Sequence, residues 1–117
     1  MRRLRDRLED VLEAIGQVEE AVGRGREAFD GDPYVRVWVA HHLQVIGEAV
    51  RPHLDELRAR QPTVPWTQIV AMRHILVHQY FGVDPGEVWV AAERDLPPLR
   101  AAVEALLALL SANDEAP

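Results

Sequence analysis

Arg73 and His78 stand five residues apart in one apolar run, Arg73-His74-Ile75-Leu76-Val77-His78-Gln79-Tyr80. A guanidinium is charged at every physiological pH, and an imidazole exchanges a proton near neutrality. Together they supply what metal-free cleavage of RNA requires: a fixed positive charge for a phosphorane and a group that takes or gives a proton. Tyr80 adds a phenol two residues further on. His74 and His78, four apart, could chelate a metal, but no carboxylate or third histidine is suitably spaced nearby. The expectation is therefore no metal site and no cofactor.

The elements that must carry these residues read as helices. Leu4, Leu8, Val11, Leu12, Ile15, Val18 and Val22 recur at spacings of three and four, which predicts an amphipathic helix over about 2–23. Gly23 and Gly25 end it, and a linker through Asp30-Gly31 leads to Asp32-Pro33, an N-cap followed by proline at the first helical position. A second helix carries Val35, Trp38, Val39, Leu43, Ile46, Ala49 and Val50, and Pro52 kinks or stops it before a short continuation to about Arg60. Gln61 to Trp66 breaks the chain, and a third helix over about 65–80 holds the Arg/His run, with Ile75, Leu76 and Val77 toward the core. Asp84 and Glu87 have capping-box spacing for a fourth helix to about Arg94. Asp95, Pro97 and Pro98 mark a new start or a sharp bend before a fifth, from Leu99 to about Leu110. The small, acidic tail from 111 is read as frayed. The fold class is all-α, an up-and-down bundle of four to five helices in one domain spanning 1–117.

Helix geometry constrains the candidate site. Arg73 and Tyr80 project within roughly 20° of each other, whereas Arg73 and His78 are separated by roughly 140°. Such a pair can flank a groove, and a two-fold dimer would gather two copies of each residue around one cleft. Glu48 falls on the core stripe of the second helix, where a carboxylate is costly unless paired. It reads either as a buried partner that orients Arg73 or as a structural salt bridge elsewhere, with Gly47 beside it permitting close helix approach. His41, His42 and His53 are given no role, and Trp38, Trp66 and Trp89 are taken as core or interface anchors.

Composition sets limits. The 117 residues suffice for one core, zero cysteines excludes disulfides and thiol chemistry, and no apolar run or charged-then-apolar leader marks export or membrane insertion. A cytoplasmic location and no membrane contact are expected. A formal charge of −6 argues against a sequence-independent nucleic-acid binder, since those carry basic surfaces. It is compatible with a ribonuclease whose positive site is local, and with a protein partner that reads the acidic faces.

The Arg-x4-His-x-Tyr signature resembles that of the HEPN superfamily (higher eukaryotes and prokaryotes nucleotide-binding), and more closely the HepT toxins of bacterial toxin–antitoxin pairs. The likeness extends through Leu8 to Ile15, Ile46-Gly47-Glu48-Ala49, Pro65-Trp66, Phe81-Gly82-Val83-Asp84, Val88-Trp89 and Asp95 to Leu99. The resemblance implies the HEPN fold and metal-independent endoribonucleolysis, leaving a 2′,3′-cyclic phosphate and a 5′-hydroxyl. Arg73 and His78 would be catalytic, with His74 in support; Glu48 is added as a supporting residue from its position on the second helix. It also implies a homodimer and an antitoxin of the minimal nucleotidyltransferase (MNT) type that transfers AMP to Tyr80; higher oligomers with that antitoxin are left open. Two other readings are a non-catalytic HEPN module that binds nucleotide or partner, and the substrate-binding subunit of a two-part nucleotidyltransferase.

Overall fold

The computed structural model describes residues 3–115, and among them every regular element is helical. Residue 2 of the first predicted helix and the last two residues of the tail lie outside the described residues. Four long helices, α1 (Leu4–Gly23), α3 (Pro33–Val50), α5 (Trp66–Gln79) and α7 (Leu96–Glu115), form the bundle. Three short ones, α2 (Arg26–Gly31), α4 (Leu54–Arg60) and α6 (Pro85–Val90), connect them. The all-α bundle expected from the periodicity is what the chain forms.

Local chemistry accounts for the boundaries. The Asp32 side chain accepts the backbone N–H of Tyr34 at 2.9 Å, and Pro33 supplies a preset φ at the first helical position of α3. Pro52 tightens the chain after Val50 into a 3₁₀ turn, Arg51–His53, from which α4 continues. Asp84 caps α6 by accepting from the N–H of Gly86 at 2.9 Å.

Three expectations change. The linker after Gly25 is the short helix α2, which follows a positive φ of 95° at Gly25 and buries Phe29 against Trp89, ring centroids 5.2 Å apart. Between α6 and α7 the helix does not restart; it runs through a π-helical turn, Ala91–Asp95. Pro97 and Pro98 lack the N–H groups that would close α-type bonds back into that turn, which favours its wider ring. The last helix also passes Leu110 and continues to Glu115.

The core lies between α1, α3 and α7. Leu8, Val11, Ile15 and Val18 of α1 meet Val39, Leu43, Ile46 and Val50 of α3, with Leu99, Val103 and Leu106 closing from α7. Arg100 fastens α7 to α1 through Glu19, whose hydrogen bond raises the pKa of the guanidinium. Helix α5 is attached differently. It packs mainly on α3, and only Trp66 and Leu76 of it are buried. Ile75 and Val77, expected in the core, are 41% and 43% exposed. A helix apolar all round normally lies inside a structure, so α5 carries apolar surface that this chain alone does not cover.

Candidate active site

The seam between α3 and α5 positions the candidate residues. The two helices run antiparallel: Gly47 of α3 faces Ile69 and Arg73, while Val37 and Ala40 face Tyr80. At Gly47 the approach is so close that an added Cβ would lie 2.9 Å from Arg73 Cγ and 3.1 Å from the Ile69 carbonyl oxygen. The glycine therefore lets the Arg73 backbone settle directly against α3. Any side chain at position 47 would push α5 outward and move the guanidinium with it.

Glu48, the next residue on α3, meets that guanidinium. Its Oε2 lies 2.9 Å from Nη2 of Arg73, within charge-assisted hydrogen-bond distance. The pair expected between Glu48 and Arg73 forms, but it is not buried. The Glu48 side chain is 48% exposed and that of Arg73 is 25% exposed. The core-stripe reading of Glu48 fails because the stripe ends at Gly47 and Ala49, and Glu48 turns into the open seam. Oε1 of the same carboxylate reaches a second cation, Arg51, at 3.8 Å. Arg51 went unremarked in the sequence, although the i,i+3 spacing from Glu48 was the available signal.

His78 and His74 lie on the outer side of α5, both exposed. Their rings are in contact, centroids 4.5 Å apart and inclined at 52°. Among the described residues neither makes a protein hydrogen bond, so the nitrogens of both rings are open to a substrate. The two histidines thus stand beside Arg73 around the helix, as the angular projection requires.

Tyr80 begins a 3₁₀ turn, Tyr80–Gly82, immediately after α5. Its ring is half-buried beside a cavity of about 350 Å³ lined by Phe29, Val37, Val83 and Val88. Phe81, in edge contact with it at 5.3 Å, is fully exposed. Arg73 and Tyr80 therefore both face α3, one near each end of the seam. The tryptophans divide: Trp66 and Trp89 are core residues, and Trp66 donates its indole N–H to the Gln61 carbonyl at 2.9 Å. Trp38 is 48% exposed and packs on His42, whose Nδ1 lies 2.8 Å from the Trp38 carbonyl oxygen. His41 meets His42 edge to face.

Among the described residues no three of His, Asp and Glu gather closely enough to hold a metal ion. No helix among them is long and apolar enough to cross a membrane. The site's chemistry is that of an anchored guanidinium flanked by unengaged imidazoles, suited to an anionic, phosphate-bearing ligand.

That combination on an all-helical bundle defines a class, and the chain belongs to the ribonuclease HepT-like family, whose model matches residues 11–106. It is 35% identical over 103 residues to a Thermococcus cleftensis protein named "Probable ribonuclease HepT", covering 87% of this chain and 94% of that one. A Methanocaldococcus jannaschii protein named "Putative RNase" is 35% identical over 98 residues, 83% of this chain and 90% of its own. A Caldanaerobacter subterraneus protein, likewise named "Putative RNase", is 34% identical over 108 residues, 92% and 96% of the two chains. No solved structure gave a significant match.

Proposed function

We propose that the protein is a metal-independent endoribonuclease toxin, silenced by a nucleotidyltransferase antitoxin that transfers AMP to Tyr80. The observation that carries the catalytic half is the fixing of Arg73 by Gly47 and Glu48 on the helix that also presents a solvent-open His78. His78 removes the proton of a ribose 2′-hydroxyl, and that oxygen attacks the adjacent phosphorus. Arg73 holds the non-bridging oxygens and stabilises the charge that develops on them. The bond from phosphorus to the 5′-oxygen breaks, and that oxygen leaves with a proton returned by imidazolium, from the same His78 or from its copy in a dimer. A 2′,3′-cyclic phosphate and a 5′-hydroxyl result. His74, in contact with the His78 ring, steadies its orientation. Cleavage of RNA by the purified protein tests this reading directly, because a module that only bound nucleotide or a partner would leave the RNA whole.

The working unit in this reading is a two-fold dimer. Ile75 and Val77 on α5, with Trp38 and Val37 on α3, are apolar residues that the single bundle leaves exposed. An isologous interface through α5 would cover part of this apolar surface and bring two Arg73/His78 sets to one cleft. Sedimentation equilibrium at micromolar concentration should therefore give twice the 13.2 kDa chain mass. A monomer there would remove the composite cleft.

A further inference from the structure

Glu48 serves two guanidiniums, one on each side of its carboxylate. A single negative charge cannot neutralise both Arg73 and Arg51, so the trio keeps a net charge of +1 within a chain whose formal charge is −6. The distances place that surplus. Arg73 has the short contact, 2.9 Å, and is mostly covered. Arg51 is 59% exposed and touches the carboxylate only at the outer limit of an ion pair, 3.8 Å. Arginines that fasten this structure are held otherwise: Arg36 donates to the Phe29 and Asp30 carbonyls, and Arg100 bridges α7 to Glu19 of α1. Among the described residues Arg51 joins nothing across the fold, its ion pair being with Glu48 three residues away in sequence.

Position gives the loose cation a use. From Glu48, Arg51 lies about 4.5 Å along α3, toward the N-terminal end of α5. From Arg73, His78 lies about 7.5 Å along α5 in the opposite direction. The antiparallel packing thus sets Arg51 beside Arg73 at the C-terminal end of α3, with His78 further along α5 on its outer side. Successive phosphates of a single strand are one nucleotide apart, a span that two guanidiniums sharing one carboxylate can bridge. A strand whose scissile phosphate sits on Arg73 therefore has a neighbouring phosphate within reach of Arg51.

We propose that Arg51 binds a second phosphate of single-stranded RNA beside the scissile one, and that Glu48 holds Arg73 and Arg51 in register. This rests on the reading of the seam as an RNA site, so the test separates binding from cutting. A labelled single-stranded 2′-O-methyl RNA lacks the attacking hydroxyl and reports binding alone, by fluorescence anisotropy over a salt series. Arg51→Ala should bind it about threefold to fivefold more weakly at low salt, the effect of an exposed ion pair. The slope of log affinity against log salt should become shallower by about 0.7, one phosphate contact on a single strand. Arg51→Lys should retain the wild-type slope, and Arg24→Ala, a surface arginine paired with Glu20 on α1, should change neither quantity. Wild-type affinity and slope in Arg51→Ala would overturn the proposal even if the protein cuts natural RNA. A shallower slope in Arg51→Ala alongside uncut natural RNA would uphold the phosphate contact and remove the catalytic reading alone.

Discussion

Replacing His78 by alanine should lower the rate of RNA cleavage by about 10² to 10⁴-fold, the range a general acid–base residue contributes. The fold should survive, because the His78 side chain is exposed and packs beside the ring of His74 on the same helix. Circular dichroism and thermal midpoint should therefore match the wild type while activity is nearly gone. Arg73→Ala should cost a comparable factor, about 10² to 10³, the effect of deleting one donor aimed at developing negative charge. Arg73→Lys restores the charge but not the planar fork that meets Glu48 and phosphate together, so its recovery should be partial. Cleavage that survived His78→Ala would assign the proton transfer to another group.

Much of the site was legible because helical periodicity is a strong constraint. The type of each long helix, the Asp32-Pro33 start of α3 and the Asp84 cap of α6 followed from capping chemistry that acts within a few residues. The close approach at Gly47 was also foreseeable from a small residue on the packed side of α3, and the Glu48–Arg73 contact was one of the two readings open to Glu48. What failed depends on which side of a helix has a neighbour. Ile75 and Val77 are as apolar as Leu76, and their types alone could not tell that only Leu76 meets α3 while the others look outward. Glu48 is a different case: two residues from Ile46 it projects roughly 160° away, so the helical angle itself places it outside the packed stripe. Phe29 in a six-residue helix and the π-turn at Ala91–Asp95 were hidden because each rests on tertiary contacts or on backbone groups removed downstream.

Co-incubation with the nucleotidyltransferase antitoxin and ATP should add one or more AMP units to the wild-type chain and abolish its cleavage activity. The same treatment should leave the mass of Tyr80→Phe unchanged. The expected contrast is close to all-or-none, because phenylalanine keeps the ring that packs near Val37 and Val88 and lacks only the acceptor oxygen. Each adenylyl group adds a negatively charged phosphodiester and a large base at the C-terminal end of the seam, two residues past His78. The added phosphate would repel RNA and compete for the guanidinium that the substrate would need. Fully exposed Phe81 beside Tyr80 leaves this end of the seam approachable by a partner enzyme. A mass shift that persisted in Tyr80→Phe would place the modification on another residue, and an unchanged wild-type mass would mean that inhibition works by docking.

The central claim is that the Arg73/His78 pair cleaves RNA without a metal, and mapping the ends produced in EDTA tests it most directly. Purified, unmodified protein incubated with RNA and excess chelator should yield fragments with 2′,3′-cyclic phosphate and 5′-hydroxyl ends. Those ends follow from attack by the 2′-oxygen, and the His78→Ala protein should leave the same RNA intact. Cleavage that needed a divalent cation, or that left 5′-phosphate ends, would contradict the mechanism.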